Sequence, residues 1–252
     1  MKITVVTVCF NSANTLADTI RSVASQTYAD KEHIVIDGGS KDKTVEIIRG
    51  SSSITNWISE PDEGIYDAMN KGIGLATGEV VGTLNADDVY AQNNILSQVA
   101  NIFADPEIDA CFADLIYSDQ NDLGKIVRYW KSKPFQPGLY KSGWMPAHPT
   151  FFVRRRIYEK YGGFDLSFPR QADFELTLRL LEVYKINTLY VPRIWVFMRM
   201  GGVSNNNLIG IIKGNIEAYR ACRKNGLEVS MLPFIARKML SRVPQFFNMP
   251  NV

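Results

Sequence analysis

Three short acidic motifs in this chain could do chemistry: Asp37-Gly38-Gly39-Ser40, Asn85-Ala86-Asp87-Asp88, and Asp173 in Ala172-Asp173-Phe174-Glu175-Leu176. Asn85, Asp87 and Asp88 put hard oxygen donors side by side, a set suited to Mg²⁺ or Mn²⁺ shared with a diphosphate rather than to zinc. Such a cation neutralises charge developing on a departing phosphate. Taken alone, the same residues also read as a turn in which Asp88 caps the following helix. Asp173 opens an amphipathic stretch, where a carboxylate can take the proton of an attacking hydroxyl; its other reading is a helix N-cap. Glu175, two residues on, faces elsewhere on the same helix and ranks lower as a base. Neither G-x-G-x-x-G nor G-x-x-x-x-G-K-[ST] occurs, so no dinucleotide grip and no P-loop is offered.

These motifs sit where strands should end. Ile3 to Cys9 is a β-branched apolar run leading into Phe10-Asn11-Ser12, after which Leu16, Ile20 and Val23 recur at helical spacing. Ile34-Val35-Ile36 runs into Asp37, Thr44 to Arg49 reads as a short helix, and a strand is expected around Ile54 to Ile58. A helix from about Ile65 to Leu75 precedes the strand Val80 to Leu84, which ends at Asn85; Ile95, Leu96, Val99, Ile102 and Phe103 share the next helical face. Strands alternating with helices imply right-handed crossovers and a mostly parallel sheet, and such sheets bind ligands beyond the carboxyl ends of their strands. Past residue 109, Ala110 to Tyr117 and Lys125 to Trp130 flank a polar stretch with Gly124, a hairpin signal that adds antiparallel strands. Residues 131 to 150 read as an irregular loop, Phe174, Leu178 and Leu181 as a helix, and Leu189 to Met198 as a strand. The expected fold is α/β: one domain over residues 1–205 with a mixed sheet, then a helical, amphipathic extension over 206–252.

Composition agrees with one sizeable globular unit. The chain has 252 residues, 46% hydrophobic and 21% charged, and its net charge of +2 supplies no phosphate-neutralising field, so nucleic acid is not expected as a partner. Three widely spaced cysteines, Cys9, Cys111 and Cys222, give no disulfide framework or zinc knuckle and suit a reducing compartment. No stretch approaches the roughly 20 apolar residues that span a bilayer, so the expected place is the cytoplasm. Residues 213–252 nevertheless carry seven basic and two acidic groups. Within them Met231 to Phe247 interleaves apolar residues with Arg237, Lys238 and Arg242, the profile of a helix on an anionic membrane surface or of one packed on the body or a second subunit. On the first alternative the protein is peripheral at the inner face of the cell membrane.

The motifs together resemble the family 2 glycosyltransferases of the bacterial polysaccharide and antigen-assembly type, which have the GT-A fold. The resemblance rests on Thr4 to Asn11, Asp37-Gly38-Gly39-Ser40-Lys41-Asp42, Ser59 to Gly72, Ala76-Thr77-Gly78-Glu79, Leu84 to Asp88 and Ala172 to Leu176, in matching order over residues 1–205. It implies an inverting enzyme that moves a hexosyl or N-acetylhexosaminyl group from a nucleotide-diphosphate donor to a hydroxyl of a glycan or lipid-linked glycan, with Mn²⁺ or Mg²⁺. It further implies that Asp37 pairs with the donor's base beside Phe10, Asn11 and Gly38. Asn70 and Lys71 would flank the nucleotide, and Asn85, Ala86 and Asp88 would lie by the sugar or diphosphate, with Asp87 as metal ligand and Asp173 as base. Trp144 and His148 fall on the acceptor side, and Arg199 before Gly201-Gly202 reads either as a basic clamp on the diphosphate or as a plain turn. Two departures stand out: Asn85 replaces the first Asp of the family's D-x-D, removing one charge, and Val8 stands where many relatives have proline. Asn85 keeps open a catalytically silent nucleotide-sugar-binding or scaffold module. A nucleotidyltransferase is disfavoured, since the glycine-rich, Arg/Lys-bearing first loop of that class is replaced by Phe10-Asn11-Ser12.

Overall fold

The structure is a computed structural model that describes residues 1–201 and 208–247. Strand β1 (Ile3–Cys9) is buried along its whole length, as a β-branched run covered on both faces should be. It pairs in parallel with β2 (Lys31–Asp37) on one side and β4 (Val80–Thr83) on the other, and β3 (Asn56–Ser59) continues the parallel half beyond β2. The linking helices are α1 (Leu16–Ala24), α2 (Thr44–Arg49) and α3 (Ile65–Leu75). Helix α1 buries Leu16, Thr19, Ile20 and Val23, its predicted apolar stripe with one threonine added.

The other half of the sheet is mixed. Strand β8 (Phe152–Arg154) lies antiparallel between β4 and β6 (Ala110–Ser118), β9 (Thr188–Arg199) runs parallel to β6, and β5 (Asp88–Tyr90) is antiparallel to β9. The spatial order is β3-β2-β1-β4-β8-β6-β9-β5, with β7 (Ile126–Trp130) hairpinned onto β6. Pattern reading did not anticipate β5 or β8, each three residues long, nor α5 (Arg155–Tyr161). Helix α4 (Ile95–Ile102) covers one face of the sheet, and α6 (Ala172–Leu178) the other.

The expected boundary at 205/206 lies outside the described residues. Beyond it, α7 (Leu208–Lys224) and α8 (Met231–Leu240) pack against α6, and Ala218, Ala221, Cys222 and Phe234 join the core that holds Phe174 and Leu178. Lys238 is buried as well, its stem lying over Gly143: a Cβ there would sit 2.5 Å from Lys238 Cβ, and φ is +76°. The alternative in which the tail helix packs on the body therefore holds for one of its faces. Leu232, Met239, Leu240, Val243, Phe246 and Phe247 remain exposed on the other. No helix among the described residues is long and apolar enough to cross a membrane.

Candidate active site

The carboxyl ends of β1, β2 and β4 open on the same edge of the sheet. Because β1 lies between the other two, the ends of β2 and β4 are about 10 Å apart, twice the spacing of neighbouring strands. The turn after β4 is held from below by α1, whose Thr19 hydroxyl donates to the carbonyls of Asp88 (2.7 Å) and Asn85 (3.4 Å). Ala86 is buried in the small cluster with Cys9 and Leu16, which fixes the turn.

Asp88 does not cap a helix. It is the first residue of β5, opposite Met198 of β9, and is fully buried. Its Oδ2 accepts the Asn85 amide at 3.0 Å, while its Oδ1 and Asn85 Oδ1 are buried without a hydrogen-bond partner. Burial, reinforced by neighbouring Asp87, pushes the Asp88 carboxyl well above the usual range, and burial raises Asp87 too; the Arg199 guanidinium opposes both shifts. Arg199 pairs with Asp18 of α1 at 2.6 Å and keeps Nη1 buried and unpartnered. Two crowded carboxylates and two orphaned oxygens suit a hard cation. No group of three or more His, Cys, Asp or Glu that could hold a metal occurs among the described residues, so a cation here would complete its shell from a phosphate and water.

Asp173 is the second residue of α6, whose N-cap is Gln171, so the capping role considered for Asp173 is not realised. Its Oδ1 accepts the Tyr66 hydroxyl at 3.0 Å and the Phe174 amide at 2.8 Å. Tyr66 comes from the first turn of α3 and is itself buried, stacked on Phe164. Burial raises the phenol of Tyr117 in β6; Arg128 and Arg242 oppose that rise, and the charges of Asp88 and Asp173 add to it.

Several residues take other places than expected. Asp37 is fully buried, and its carboxylate is taken up by its own surroundings: Ser59 Oγ (2.7 Å), the amides of Ser40 (3.0 Å) and Gly39 (3.2 Å), and the Ser40 hydroxyl. These bonds brace the loop from within. Asp62, to which no role was assigned from sequence, lies over that loop; a Cβ on Gly38 would meet its Oδ2 at 2.5 Å. Phe10 is 61% exposed beside them, and Asn11, at φ +49°, accepts the Lys41 amide at 2.8 Å. Asn70 turns away to clasp the backbone of Phe164 through two hydrogen bonds, and Lys71 binds Glu60, Asp67 and the Pro61 carbonyl, holding the segment that carries Asp62. Both residues lie on α3, as expected, and both have partners on the scaffold.

Trp144 is half-buried among Phe112, Phe135 and Tyr140, and His148 is buried against Phe164 with Nε2 3.3 Å from Thr83 Oγ1. Burial lowers the His148 pKa, with Asp173 pulling the other way. Both residues pack in aromatic surroundings. Of the loop after Arg199, Gly201 has φ +121°, while Gly202 to Ser204 lie outside the described residues. A surface cavity of about 300 Å³ lies between α3 and α5, lined by Asn70, Ile73, Arg155 and Tyr158 among others. Asp62 and Tyr66 were the functional candidates missed; both lie in the quoted stretch Ser59 to Gly72, and that stretch was the available signal.

Residues 4–162 match the family model described as Glycosyl transferase family 2. The chain belongs to this family. It is 33% identical over 180 residues to an uncharacterized glycosyltransferase of Mycobacterium tuberculosis (strain CDC 1551 / Oshkosh), covering 70% of this chain and 68% of the relative. It is 30% identical over 202 residues to a PGL/p-HBAD biosynthesis glycosyltransferase of Mycobacterium bovis (strain BCG / Pasteur 1173P2), 77% and 76% of the two chains. Among solved structures, Staphylococcus aureus TarS in complex with UDP-GlcNAc superposes with a TM-score of 0.67 at 13% identity, over 95% of this chain and 73% of that one. The mannosyltransferase PcManGT of Pyrobaculum calidifontis, in complex with GDP-Man and Mn²⁺, gives 0.66 at 16% identity, over 94% and 68%. The fold of this family 2 glycosyltransferase is thus GT-A, a mixed α/β domain with a mostly parallel sheet.

Proposed function

We propose that this glycosyltransferase moves one hexosyl or N-acetylhexosaminyl group from a nucleoside-diphosphate donor to a hydroxyl of a glycan or lipid-linked glycan, with inversion. The observation that carries the reading is the Asp173 carboxylate at the start of α6, held by the buried Tyr66 hydroxyl, in a chain whose turn after β4 carries the crowded pair Asp87 and Asp88. Asp173 takes the acceptor proton while the acceptor oxygen bonds to the anomeric carbon and the bond from that carbon to the diphosphate breaks; direct displacement inverts the centre. The nucleotide lies against Phe10, Asn11 and Gly38, with Asp37 and Lys71 bracing the loops and Asp62 presented at their rim. The donor class is supported by the UDP-GlcNAc and GDP-Man held by the two structural neighbours.

Asp87, with Asp88 and Asn85 beside it, is the place for Mn²⁺ or Mg²⁺, which would supply charge neutralisation on the leaving diphosphate. Arg199 offers its unpartnered Nη1 to the same phosphates. The exposed apolar face of α8, edged by Arg237 and Arg242, is assigned to an anionic membrane surface at the cytoplasmic side, where a lipid-linked acceptor would be met. Sedimentation with anionic liposomes should carry the full chain down and leave a chain ending near Gly226 in solution.

The deciding experiment is a thermal-shift screen of nucleotide sugars with and without Mn²⁺, followed by turnover of Asp173→Asn with the donor so found. The variant should keep donor binding while transfer falls by about 10²–10⁴. Unchanged turnover would place the base elsewhere. A second reading, a silent nucleotide-sugar-binding module, draws on Asn85, whose amide supplies a hydrogen bond where a second negative charge would stand; donor binding with no transfer to any acceptor would favour it.

A further inference from the structure

A chain of hydrogen bonds runs from the C-terminal extension to Asp173. Lys238, buried on α8, donates from Nζ to Gln171 Oε1 at 2.8 Å. Gln171 donates in turn from Nε2 to the Arg170 carbonyl at 2.9 Å. The same carbonyl lies 3.3 Å from the Tyr66 hydroxyl, which also reaches Asp173 Oδ1 at 3.0 Å. Groups from α8, from the segment before α6 and from α3 thus stand in line and end on the carboxylate.

Chemistry gives each link a direction. An ammonium offers donors and no acceptor, so the Gln171 amide meets it with its oxygen, which sends the amide nitrogen to the Arg170 carbonyl. Tyr66 has one hydroxyl proton to give and two acceptors in reach. A carboxylate is the stronger acceptor, and a carbonyl already engaged by the Gln171 amide competes less well, so the proton goes to Asp173. Were the amide turned the other way, the Arg170 carbonyl would lose a donor and draw the Tyr66 hydroxyl toward itself.

The surroundings hold these groups in place. The Arg170 amide is anchored on Glu217 of α7 at 2.9 Å, and a Cβ on Gly214, also of α7, would stand 3.4 Å from Gln171 Nε2. The Lys238 ammonium lies 4.6 Å from the ring centre of Phe174, the residue next to Asp173. Gln171 is the N-cap residue of α6 but makes no side-chain cap bond, so its amide is not spent on the helix end. Burial is costly to Lys238: loss of water lowers its pKa to about 7, Arg242 adds to the fall, and Asp173, Cys222 and Glu217 oppose it. A methionine would fill the same space without that cost. What the lysine adds is a donor at Gln171.

We propose that Lys238 and Gln171 are positioning residues for the base: the ammonium sets the Gln171 amide on the Arg170 carbonyl, and that amide leaves the Tyr66 hydroxyl to Asp173. The proposal rests on the reading of Asp173 as the base, and it makes α8 a support of the catalytic centre.

The test compares Lys238→Met, Gln171→Glu, Tyr66→Phe and Asp173→Asn in the full chain, and the first two again in the Tyr66→Phe background, at pH 6, where Lys238 holds its proton. Turnover is read as hydrolysis of UDP-GlcNAc and of GDP-Man, with water as the acceptor whose proton the base takes. Gln171→Glu is the decisive change, since its carboxylate pairs with Lys238 and keeps α8 docked but has no N–H for the Arg170 carbonyl. Lys238→Met and Gln171→Glu should each lower kcat about three- to tenfold with KM for the donor unchanged. In the Tyr66→Phe background neither should lower it more than about twofold further, because both act through the hydroxyl that is gone. A role confined to docking the tail would leave Gln171→Glu at the parent's kcat. Hydrogen exchange supplies a readout that needs no substrate: the Gln171 Nε2 protons, assigned by their loss in Gln171→Glu, should exchange about tenfold faster in Lys238→Met than in the parent. Melting temperatures and retained nucleotide binding establish that the variants are folded. Parent-like kcat in Lys238→Met and Gln171→Glu beside a crippled Asp173→Asn overturns the proposal. So do losses that persist in full without the Tyr66 hydroxyl, or equal amide exchange in Lys238→Met and the parent. Normal turnover in Asp173→Asn is a different result, which overturns the reading of Asp173 as the base and, with it, the catalytic consequence of the chain.

Discussion

Tyr66 and Asp173, 107 positions apart in the chain, meet through a 3.0 Å hydrogen bond from the phenol to Oδ1. The bond fixes the rotamer of a half-buried carboxylate at the first turn of α6. Tyr66→Phe removes that restraint and keeps the ring packed on Phe164. The expected result is a fall in kcat of about tenfold, the scale of one hydrogen bond to a charged group, with KM for the donor unchanged. Steady-state kinetics on the purified variant would check it; an equal loss in donor affinity would mean that Tyr66 serves the nucleotide instead.

Asn85→Asp restores a carboxylate beside two that already crowd each other. Without metal the variant should melt at a lower temperature than the parent, since burial and the Asp87 charge already disfavour ionisation at Asp88. With Mn²⁺ its melting temperature should rise by more than the parent's does, because a cation offsets the added repulsion. Equal Mn²⁺ shifts in parent and variant would remove this turn as the cation's place.

His33 of β2 is buried, with Nε2 3.0 Å from Thr7 Oγ1 and Nδ1 without a partner, and burial lowers its pKa to about 4. The unfolded chain holds a proton on this residue below about 6.5 that the folded chain refuses, so stability is lost as pH falls from about 6.5 to about 4. His33→Gln should flatten that part of the stability curve. Denaturant melts at several pH values would show it; an unchanged acid limb would assign the loss to carboxylates.

Lys238 behaves oppositely in range though not in sign. Its folded pKa is lowered to about 7, burial being the main cause and Arg242 adding to it, against an ordinary 10.5. The unfolded state again binds the extra proton, so stability should climb as pH rises from about 7 to about 10.5. Lys238→Met keeps the stem's length over Gly143 and removes the ionisable group; its stability should vary less across that window and exceed the parent's at pH 7. Equal slopes in the two proteins would show that the ammonium is solvated in solution.

The local elements could be read along the chain because their signals are local. The seven residues Ile3–Cys9, the six of Thr44–Arg49 and the eleven of Ile65–Leu75 form the strand and helices expected of them, since periodicity and β-branching act within a few residues. Strands β5 and β8 were invisible for the converse reason. Three residues carry no period, and Asp88–Tyr90 is a strand only because β9 returns to pair with it. Asp88 consequently starts a buried strand where local logic suggested a cap.

Residue types and their order determined the family, the strand-end position of the acidic motifs and the amphipathic character of the tail. Tertiary packing decided which groups meet. It turned Asp37 inward onto Ser59 and its own loop, and drew Asn70 to Phe164 and Lys71 to Glu60. It placed Trp144 in an aromatic cluster and brought Tyr66 to Asp173. The physical reason is one of range: propensity and hydrophobic period act through neighbours in sequence. A side chain's partner is chosen by burial and by the need to satisfy every buried polar atom, conditions that exist only once distant segments have packed together.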